Sequence, residues 1–227
     1  MENMTFSQYE EDTKKTLAKY IRDKKQDERY TELILGLFEE GGEVTSIIRR
    51  SKKGNFHEVD VDLKHLEEEI GDVLWYITHI AHQLPNTKLE EVARRNLEKT
   101  HMIYQKDASN SNESLSFNQY VEVVTNTYRE DLPKTKEERA RFFSLGLIKE
   151  IGKIAELFGE HRIDATRLDI YKVKEKLGDG LWYLAAICEN YAFDLGEIAK
   201  ANLEKTHGRY NEEWIVINRP EEDEPEQ

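Results

Sequence analysis

The stretch LFEEGGEV, residues 37–44, mixes apolar and acidic residues at the spacing of a helix. Within it Glu40 and Glu43 stand three positions apart, and the later stretch EIGD, residues 69–72, repeats that spacing with its own two acids. Residues three apart lie on one face of a helix, one turn from each other. Two such helices packed together would bring four carboxylates to one point, which a buried site tolerates only if a cation or protons join them. The two stretches therefore predict a divalent-metal site between two helices.

The acidic residues lie on the apolar side of their predicted helices. Glu40 follows Leu37 by three positions and precedes Val44 by four, so it falls within the apolar stripe. Glu69 holds the same place in its own helix, three positions after Leu66. The alternative is a charged helix surface, which would place its acids on the opposite, solvated face. The candidate metal ligands are therefore the two acidic pairs, Glu40, Glu43, Glu69 and Asp72.

Two further features favour a hard cation. The candidate ligands are all oxygen donors, which suit Mg²⁺ and also Mn²⁺. A ferritin-like di-iron site would need Glu-x-x-His pairs, and none sits at the matching positions.

Gly41 and Gly42 each cost a helix about 1 kcal/mol relative to alanine. We therefore expect the close approach of another helix or of a ligand to offset them.

Four blocks of the first half return in the same order in the second half. They are FSQY (6–9) with FNQY (117–120), GLFEE (36–40) with GLIKE (146–150), GDVLWY (71–76) with GDGLWY (178–183), and NLEKTH (96–101) with an unchanged copy (202–207). Ordered matches of this kind indicate an internal duplication of the chain.

Each half predicts four helices and no sheet. The patterns T-x-x-Q at 5–8 and S-x-x-Q at 116–119 predict a capping box at the first helix of each half. Apolar residues then recur at steps of three and four, and the third helix of the first half should end before Pro85. The fold class is therefore predicted to be all-α. The predicted domains are 1–105 and 117–218, with a linker at 106–116 and a disordered acidic tail at 219–227.

The second half offers an internal control for the metal site. It keeps two of the four acids and replaces the other two with lysine, and in the order of the first-half ligands its residues are Glu150, Lys153, Lys176 and Asp179. Their charges cancel, so they can form a salt-bridged cluster without a metal. Lys149 likewise stands where the first half has Glu39. We therefore expect one metal-binding copy and one structural copy.

The block NLEKTH carries a different chemistry. It sets Asn96 and Lys99 one turn apart, and its second copy does the same with Asn202 and Lys205, which Arg209 follows by a further turn. Lysine binds phosphate as a point charge, and arginine binds it with a fork of donors. The alternative is a solvated helix end, where the helix dipole favours basic residues. The candidate substrate-binding residues are Asn96, Lys99, Lys205 and Arg209.

The bulk composition limits the class of protein. The 227 residues carry a formal net charge of −13, which argues against a nucleic-acid binder, because such proteins are usually basic. Cys188 is the only cysteine, so there is no intrachain disulfide, which fits a reducing compartment. The sequence shows no signal peptide and no apolar run of about 18 residues. We expect a soluble, cytoplasmic protein without membrane or nucleic-acid partners.

The set EExxE at 39–43, ExxD at 69–72 and NxxK at 96–99 resembles the MazG-like all-α nucleotide pyrophosphohydrolases. The resemblance implies Mg²⁺-dependent hydrolysis of a nucleoside triphosphate to the monophosphate and diphosphate. It implies that the four acids are metal ligands and that Glu39 orients or deprotonates the attacking water. It also implies that Asn96 and Lys99 bind the phosphates. Together with the duplication, it leads to the hypothesis of two tandem four-helix MazG-like units that form an intramolecular pseudo-dimer with one active site. The lysines of the second copy depart from the pattern, so catalysis is not assigned to it.

Alternatives to this hypothesis stay open at the level of the sequence. A degenerate second copy is also typical of a regulatory protein that senses a nucleotide without cleaving it, and the acids could be the surface charge of a helical scaffold. The basic segment 49–54 predicts either a clamp over the ligand or a solvated turn. For Trp75 and Tyr76 we favour core packing over base stacking, because the second copy repeats them. Contact of Lys205 and Arg209 with the ligand of the first copy stays open, and a homodimer is plausible.

Overall fold

The structure is a computed structural model that describes residues 3–50, 62–104, 114–163 and 168–209, without the side chains of 101–104, 162–163 and 209. Within these residues the chain is helical, and an isolated bridge between Thr5 and Ser116 is the sole β feature. The all-α prediction is thus confirmed. The helices are α1 (Phe6–Thr13), α2 (Lys19–Arg22), α3 (Gln26–Arg50), α4 (Leu63–Gln83), α5 (Leu89–Tyr104), α6 (Phe117–Asn126), α7 (Lys136–Ile163), α8 (Ile170–Tyr191) and α9 (Leu195–Arg209), with a 3₁₀ turn at Lys14–Thr16.

The predicted capping boxes are formed at the first helix of each half. The Thr5 hydroxyl accepts a hydrogen bond from the Gln8 backbone N–H at 3.2 Å, and the Gln8 side chain accepts one from the Thr5 N–H at 2.9 Å. Ser116 and Gln119 form the same pair of bonds at 3.2 and 2.9 Å. Each box satisfies two donors that a helix leaves free at its N-terminus.

Two long helical hairpins form the centre of the fold. α3 packs against α4, and α7 packs against α8. The first hairpin is antiparallel, since the Tyr30 hydroxyl donates to the Gln83 carbonyl at 2.8 Å near one end and Glu43 meets His65 near the other. The hairpins join through α3 with α7 and through α4 with α8. Their inner faces share one apolar core, whose fully buried members include Leu37, Leu66, Leu147 and Leu177.

The last helix of each half packs mainly on the other half. α5 lies against α8, and α9 lies against α4. Glycines permit this close contact, because a Cβ at Gly71 would lie 3.0 Å from the Cβ of Asn202, and one at Gly178 would lie 3.0 Å from the Cβ of Asn96. The sequence predicts two four-helix units that pair within the chain, and it leaves open which unit the last helix of each half contacts. An apolar stripe gives the buried face of a helix but not the helix that covers it.

The two glycines of the stretch at 37–44 have different surroundings. A Cβ at Gly41 would lie 2.5 Å from Cδ1 of Ile151 on α7, so the approach of another helix accounts for this glycine. A Cβ at Gly42 would meet no atom within 4 Å, and the residue is exposed. The expected close approach therefore holds for the first glycine only.

Trp75 and Tyr76 belong to the packed interior, as predicted. Trp75 is 3% exposed, and its indole N–H donates to the Thr16 hydroxyl at 2.7 Å. The Tyr76 ring fills the space beside Gly36, where a Cβ would lie 2.2 Å from it. No helix in the described part of the chain is long and apolar enough to cross a membrane.

The predicted domain limits are only partly open to inspection. The division into 1–105 and 117–218 stays a prediction, and the tail at 219–227 and the segment 106–113 lie outside the described residues. Leu115 and Ser116, which the prediction assigned to the linker, are buried. The Leu115 carbonyl also accepts a hydrogen bond from Phe6 N at 3.0 Å. These two residues are part of the folded structure, because they pair the beginnings of the two halves.

Candidate metal centre

Three acidic side chains converge where α3 faces α4. Glu40, Glu69 and Asp72 each offer a carboxylate oxygen, and these oxygens lie within 4.8 Å of one another. Glu69 is buried, and the other two are partly buried. The antiparallel hairpin explains the meeting, because the helical face that carries Glu40 is opposed by the one that carries the acids of α4. We call these three residues the acid cluster.

The electrostatics of the acid cluster favour an added positive charge. The pKa of Glu40 is raised to about 8, first by burial, then by a hydrogen bond with Glu69 and by the charges of Asp72, Glu69 and Glu39. Without a cation, the protein therefore keeps a proton among these carboxylates at neutral pH. A divalent cation removes that need, since it offers the charge that the proton supplies and prefers carboxylate oxygens as ligands. The residues present thus fit a divalent metal.

Glu43 belongs to a second group that shares Glu69 with the acid cluster. One ligand atom each from Glu43, His65 and Glu69 lie within 4.8 Å of one another. His65 Nε2 is 2.7 Å from Glu69 Oε1 and 3.9 Å from Glu43 Oε2. His65 was not among the sequence-based candidates, although it precedes Glu69 by four positions and so shares its helical face. The donors available to a metal are therefore not only oxygens.

Asn202 and Lys205 reach the acid cluster from α9. Asn202 Nδ2 donates to Asp72 Oδ1 at 2.8 Å, and the Lys205 ammonium donates to Asp72 Oδ2. The hydroxyl of Tyr9 donates to Asn202 Oδ1 at 2.9 Å, which holds the amide with its N–H groups towards Asp72. The block NLEKTH of the second half thus contacts the acid cluster of the first half.

The other copy of this block does not approach the acid cluster. Lys99 Nζ lies 2.6 Å from Asp179 Oδ1 and 2.9 Å from Glu175 Oε1, and Asn96 Nδ2 donates to Asp179 Oδ1 at 3.3 Å. The Tyr120 hydroxyl donates to Asn96 Oδ1 at 2.9 Å, as Tyr9 does to Asn202. The structure therefore places Asn96 and Lys99 in the second half's cluster.

The remaining candidates are only partly described. Glu39 is exposed and adjacent to Glu40, so its carboxylate is accessible to solvent water beside the acid cluster. The side chain of Arg209 and the segment 51–54 lie outside the described residues. Arg50 is exposed, and its guanidinium bonds to the Ser46 hydroxyl one turn earlier, with Nη2 at 2.9 Å.

The counterparts of the acid cluster in the second half form a salt-bridged cluster, as predicted. Lys176 Nζ lies 3.0 Å from Asp179 Oδ2 and 3.5 Å from Glu150 Oε2. Lys149 and Lys153 approach Glu150 Oε1 at 2.8 and 3.5 Å. Burial alone would raise the pKa of Glu150, but the hydrogen bond from Lys149 and the charges of the three lysines hold that pKa below its usual value. Glu40 shifts in the opposite direction at the equivalent position.

The comparisons with known proteins point to the same part of the chain. Residues 28–104 match the family model of the MazG nucleotide pyrophosphohydrolase domain, a range that contains Glu39, Glu43 and the acid cluster but ends before α9. No curated protein and no solved structure matched. The family match and the converging carboxylates fall on the same helices, so residues 28–104 are similar to a MazG nucleotide pyrophosphohydrolase domain.

Proposed function

We propose that this protein hydrolyses a nucleoside triphosphate to the monophosphate and diphosphate at the acid cluster, with a divalent cation, Mg²⁺ or Mn²⁺. The observation that carries the proposal is the convergence of Glu40, Glu69 and Asp72 within 4.8 Å, in a range that matches the model of a nucleotide pyrophosphohydrolase domain. Such a cation neutralises charge on the polyphosphate and lowers the pKa of a bound water.

The chain's own residues supply the remaining parts of the site. Glu40, Glu69 and Asp72 hold the cation, and Glu43 extends this donor set. The exposed carboxylate of Glu39 accepts a proton from the attacking water, as a general base positioned at the edge of the site. These roles stay proposals for each residue, and their support is the position of the side chains.

Asn202 and Lys205 take the role that the sequence-based hypothesis gave to Asn96 and Lys99. They hold Asp72 in place through its two oxygens. An ammonium has three N–H donors, so Lys205 keeps donors for a phosphate oxygen while it bonds to Asp72. The contacts of the α9 pair with Asp72 support this assignment.

We further propose that the chain is a fused pair of MazG-like units that form an intramolecular pseudo-dimer. Equivalent contacts support it. The Tyr9 hydroxyl donates to Asn202 Oδ1 and the Tyr120 hydroxyl donates to Asn96 Oδ1, each at 2.9 Å. Each unit lends its last helix to the other. The arrangement needs no second copy of the chain, and a homodimer is a separate prediction that light scattering of the purified protein would test.

A nucleotide panel tests the proposed activity. The protein is incubated with ribo- and deoxyribonucleoside triphosphates and Mg²⁺, and pyrophosphate release is measured, with Mn²⁺ and EDTA in parallel. The proposal predicts release that depends on the cation. Thermal stabilisation by a nucleotide without release from any would contradict catalysis and favour a nucleotide sensor, and neither signal would favour a scaffold.

A further inference from the structure

The largest contrast between the two halves is the sign of charge at equivalent positions. In the first half, carboxylates converge at the acid cluster. In the second half, a cavity of about 460 Å³ opens beside the cluster of Glu150 and Asp179. Its walls include five basic side chains and three acidic ones, and the basic ones are Lys99, Arg129, Lys149, Lys153 and Lys176. We call it the lysine cavity.

The positive charge of the lysine cavity is not fully used inside the protein. Three ammonium groups surround the single carboxylate of Glu150. Even with Glu175 added, which pairs with Lys99 and Lys176, basic groups outnumber acidic ones. This excess occurs in a chain whose formal net charge is −13. A positive cavity in an acidic protein raises the local concentration of anions.

The most accessible ammonium groups are those of Lys149 and Lys153. Their side chains are 55% and 43% exposed, and they stand one turn apart on α7. Each ammonium carries three donors, so one contact with Glu150 leaves donors for another oxygen. Charge-assisted bonds from such groups are a common way to hold phosphate.

An aromatic surface borders the same cavity. Phe142 is 46% exposed, and it precedes Lys149 by two turns of α7, about 10 Å along the helix axis. Trp182 and Tyr183 also line the cavity, and the Trp182 indole is fixed by a 2.9 Å bond to the Thr127 hydroxyl. A flat aromatic group can stack on such side chains. The separation from Phe142 to Lys149 along the helix is comparable to that from the base to the phosphates of a nucleotide.

We propose that the lysine cavity is a second ligand site, which binds a nucleotide by its phosphates without a metal ion. The lysines supply the positive charge that a divalent cation supplies in the first half, and Phe142 receives the base. The volume is within the range of small-molecule sites. The proposal does not depend on catalysis, because it concerns other residues and requires no cation.

Calorimetric titration in EDTA tests the site, with ATP and with inorganic pyrophosphate as the probes. The wild-type protein should bind one ATP per chain. Lys149→Gln and Lys153→Gln should each weaken ATP binding about tenfold or more, as the loss of one charge-assisted bond predicts, whereas Lys149→Arg should keep it within about threefold. Phe142→Ala should weaken binding of ATP but not of pyrophosphate.

Matched controls separate this site from the acid cluster. Lys172→Gln removes an exposed lysine of α8 that does not line the cavity, and it should leave binding unchanged, as should Glu69→Gln in the first half. Thermal unfolding shows whether each variant is folded, and Lys153→Gln, whose contact with Glu150 is the longer one, is the milder change. Absence of ATP binding in EDTA, binding that the lysine variants leave intact, or binding that Glu69→Gln abolishes would overturn the proposal.

Discussion

At the scale of single residues, Glu40 and Glu150 show how neighbours decide the state of a carboxyl group. Both follow a glycine-leucine block on the central helix of their half. Glu40 is partly buried beside other carboxylates, and its pKa is raised to about 8. Glu150 is surrounded by lysines, and its pKa is below its usual value. In the second half, lysine side chains supply the positive charge beside the carboxylate. In the first half, a bound proton or cation has to supply it.

The pKa of Glu40 predicts how stability depends on pH without metal. Because the folded-state pKa is above the ordinary value of 4.5, the folded protein holds the proton more tightly than the unfolded chain does. This contribution to the free energy of unfolding is fully present below the unfolded pKa and is lost as pH rises through about 8. Urea denaturation in EDTA from pH 5.5 to 8.5 should show wild-type stability falling with pH, and Glu40→Gln should flatten the decline.

The control for this experiment is Glu68→Gln, which changes an exposed acid of α4. It should keep the wild-type pH dependence. A Glu40→Gln variant with the same slope as wild type would show that this carboxyl group is not the one that holds the proton.

Lys205 and Lys99 occupy identical sequence blocks and give a second prediction at this scale. Lys205→Gln should lower kcat/KM about ten- to a hundredfold, because it removes a charge-assisted bond at the acid cluster. Lys99→Gln should leave kcat/KM within about twofold, because its ammonium bonds to Asp179 and Glu175. Steady-state kinetics of pyrophosphate release would measure both, and the reverse order would restore the assignment made from the sequence.

At the scale of helices, the contact of α4 with α9 sets the position of the site. Gly71 precedes Asp72, and its lack of a side chain lets α9 approach closely enough for Asn202 and Lys205 to bond to that carboxylate. The Tyr9 hydroxyl then fixes the amide of Asn202. Three helices from both halves therefore hold a single carboxylate.

Substitution of two helical glycines tests this packing. Gly71→Ala should lower the free energy of unfolding by about 1–3 kcal/mol, a range typical of overpacking, because the new Cβ would lie 3.0 Å from that of Asn202. Gly42→Ala is the matched control on α3, where a Cβ meets open space, and it should raise stability by about 0.5–1 kcal/mol. Urea denaturation measures both, and equal effects would contradict the close approach of α9.

At the scale of the whole molecule, the sequence predicts the helices and the acid cluster, but it does not predict that the last helix of each half packs on the other half. Apolar steps of three and four, together with the caps at Thr5 and Ser116, predict the helices, and the acids on their apolar faces predict the acid cluster. The partner of each last helix could not be predicted, because NLEKTH is identical in both halves. Nothing within that block distinguishes Asp72 from Asp179. His65 escaped notice because a polar residue in the first turn of a helix is usually on the surface.

We expect the whole chain to contain one cation-dependent active site, in the first half, to which the second half contributes Asn202 and Lys205. Mg²⁺-dependent pyrophosphate release should be compared for Asp72→Asn and Asp179→Asn, two isosteric changes at equivalent positions. Each native aspartate accepts hydrogen bonds from an asparagine and a lysine. We predict a loss of about a hundredfold or more in kcat for Asp72→Asn, as for other losses of transition-state charge stabilisation, and a change within about twofold for Asp179→Asn. Equal losses in two folded variants, or a larger loss for Asp179→Asn, would contradict a single active site in the first half.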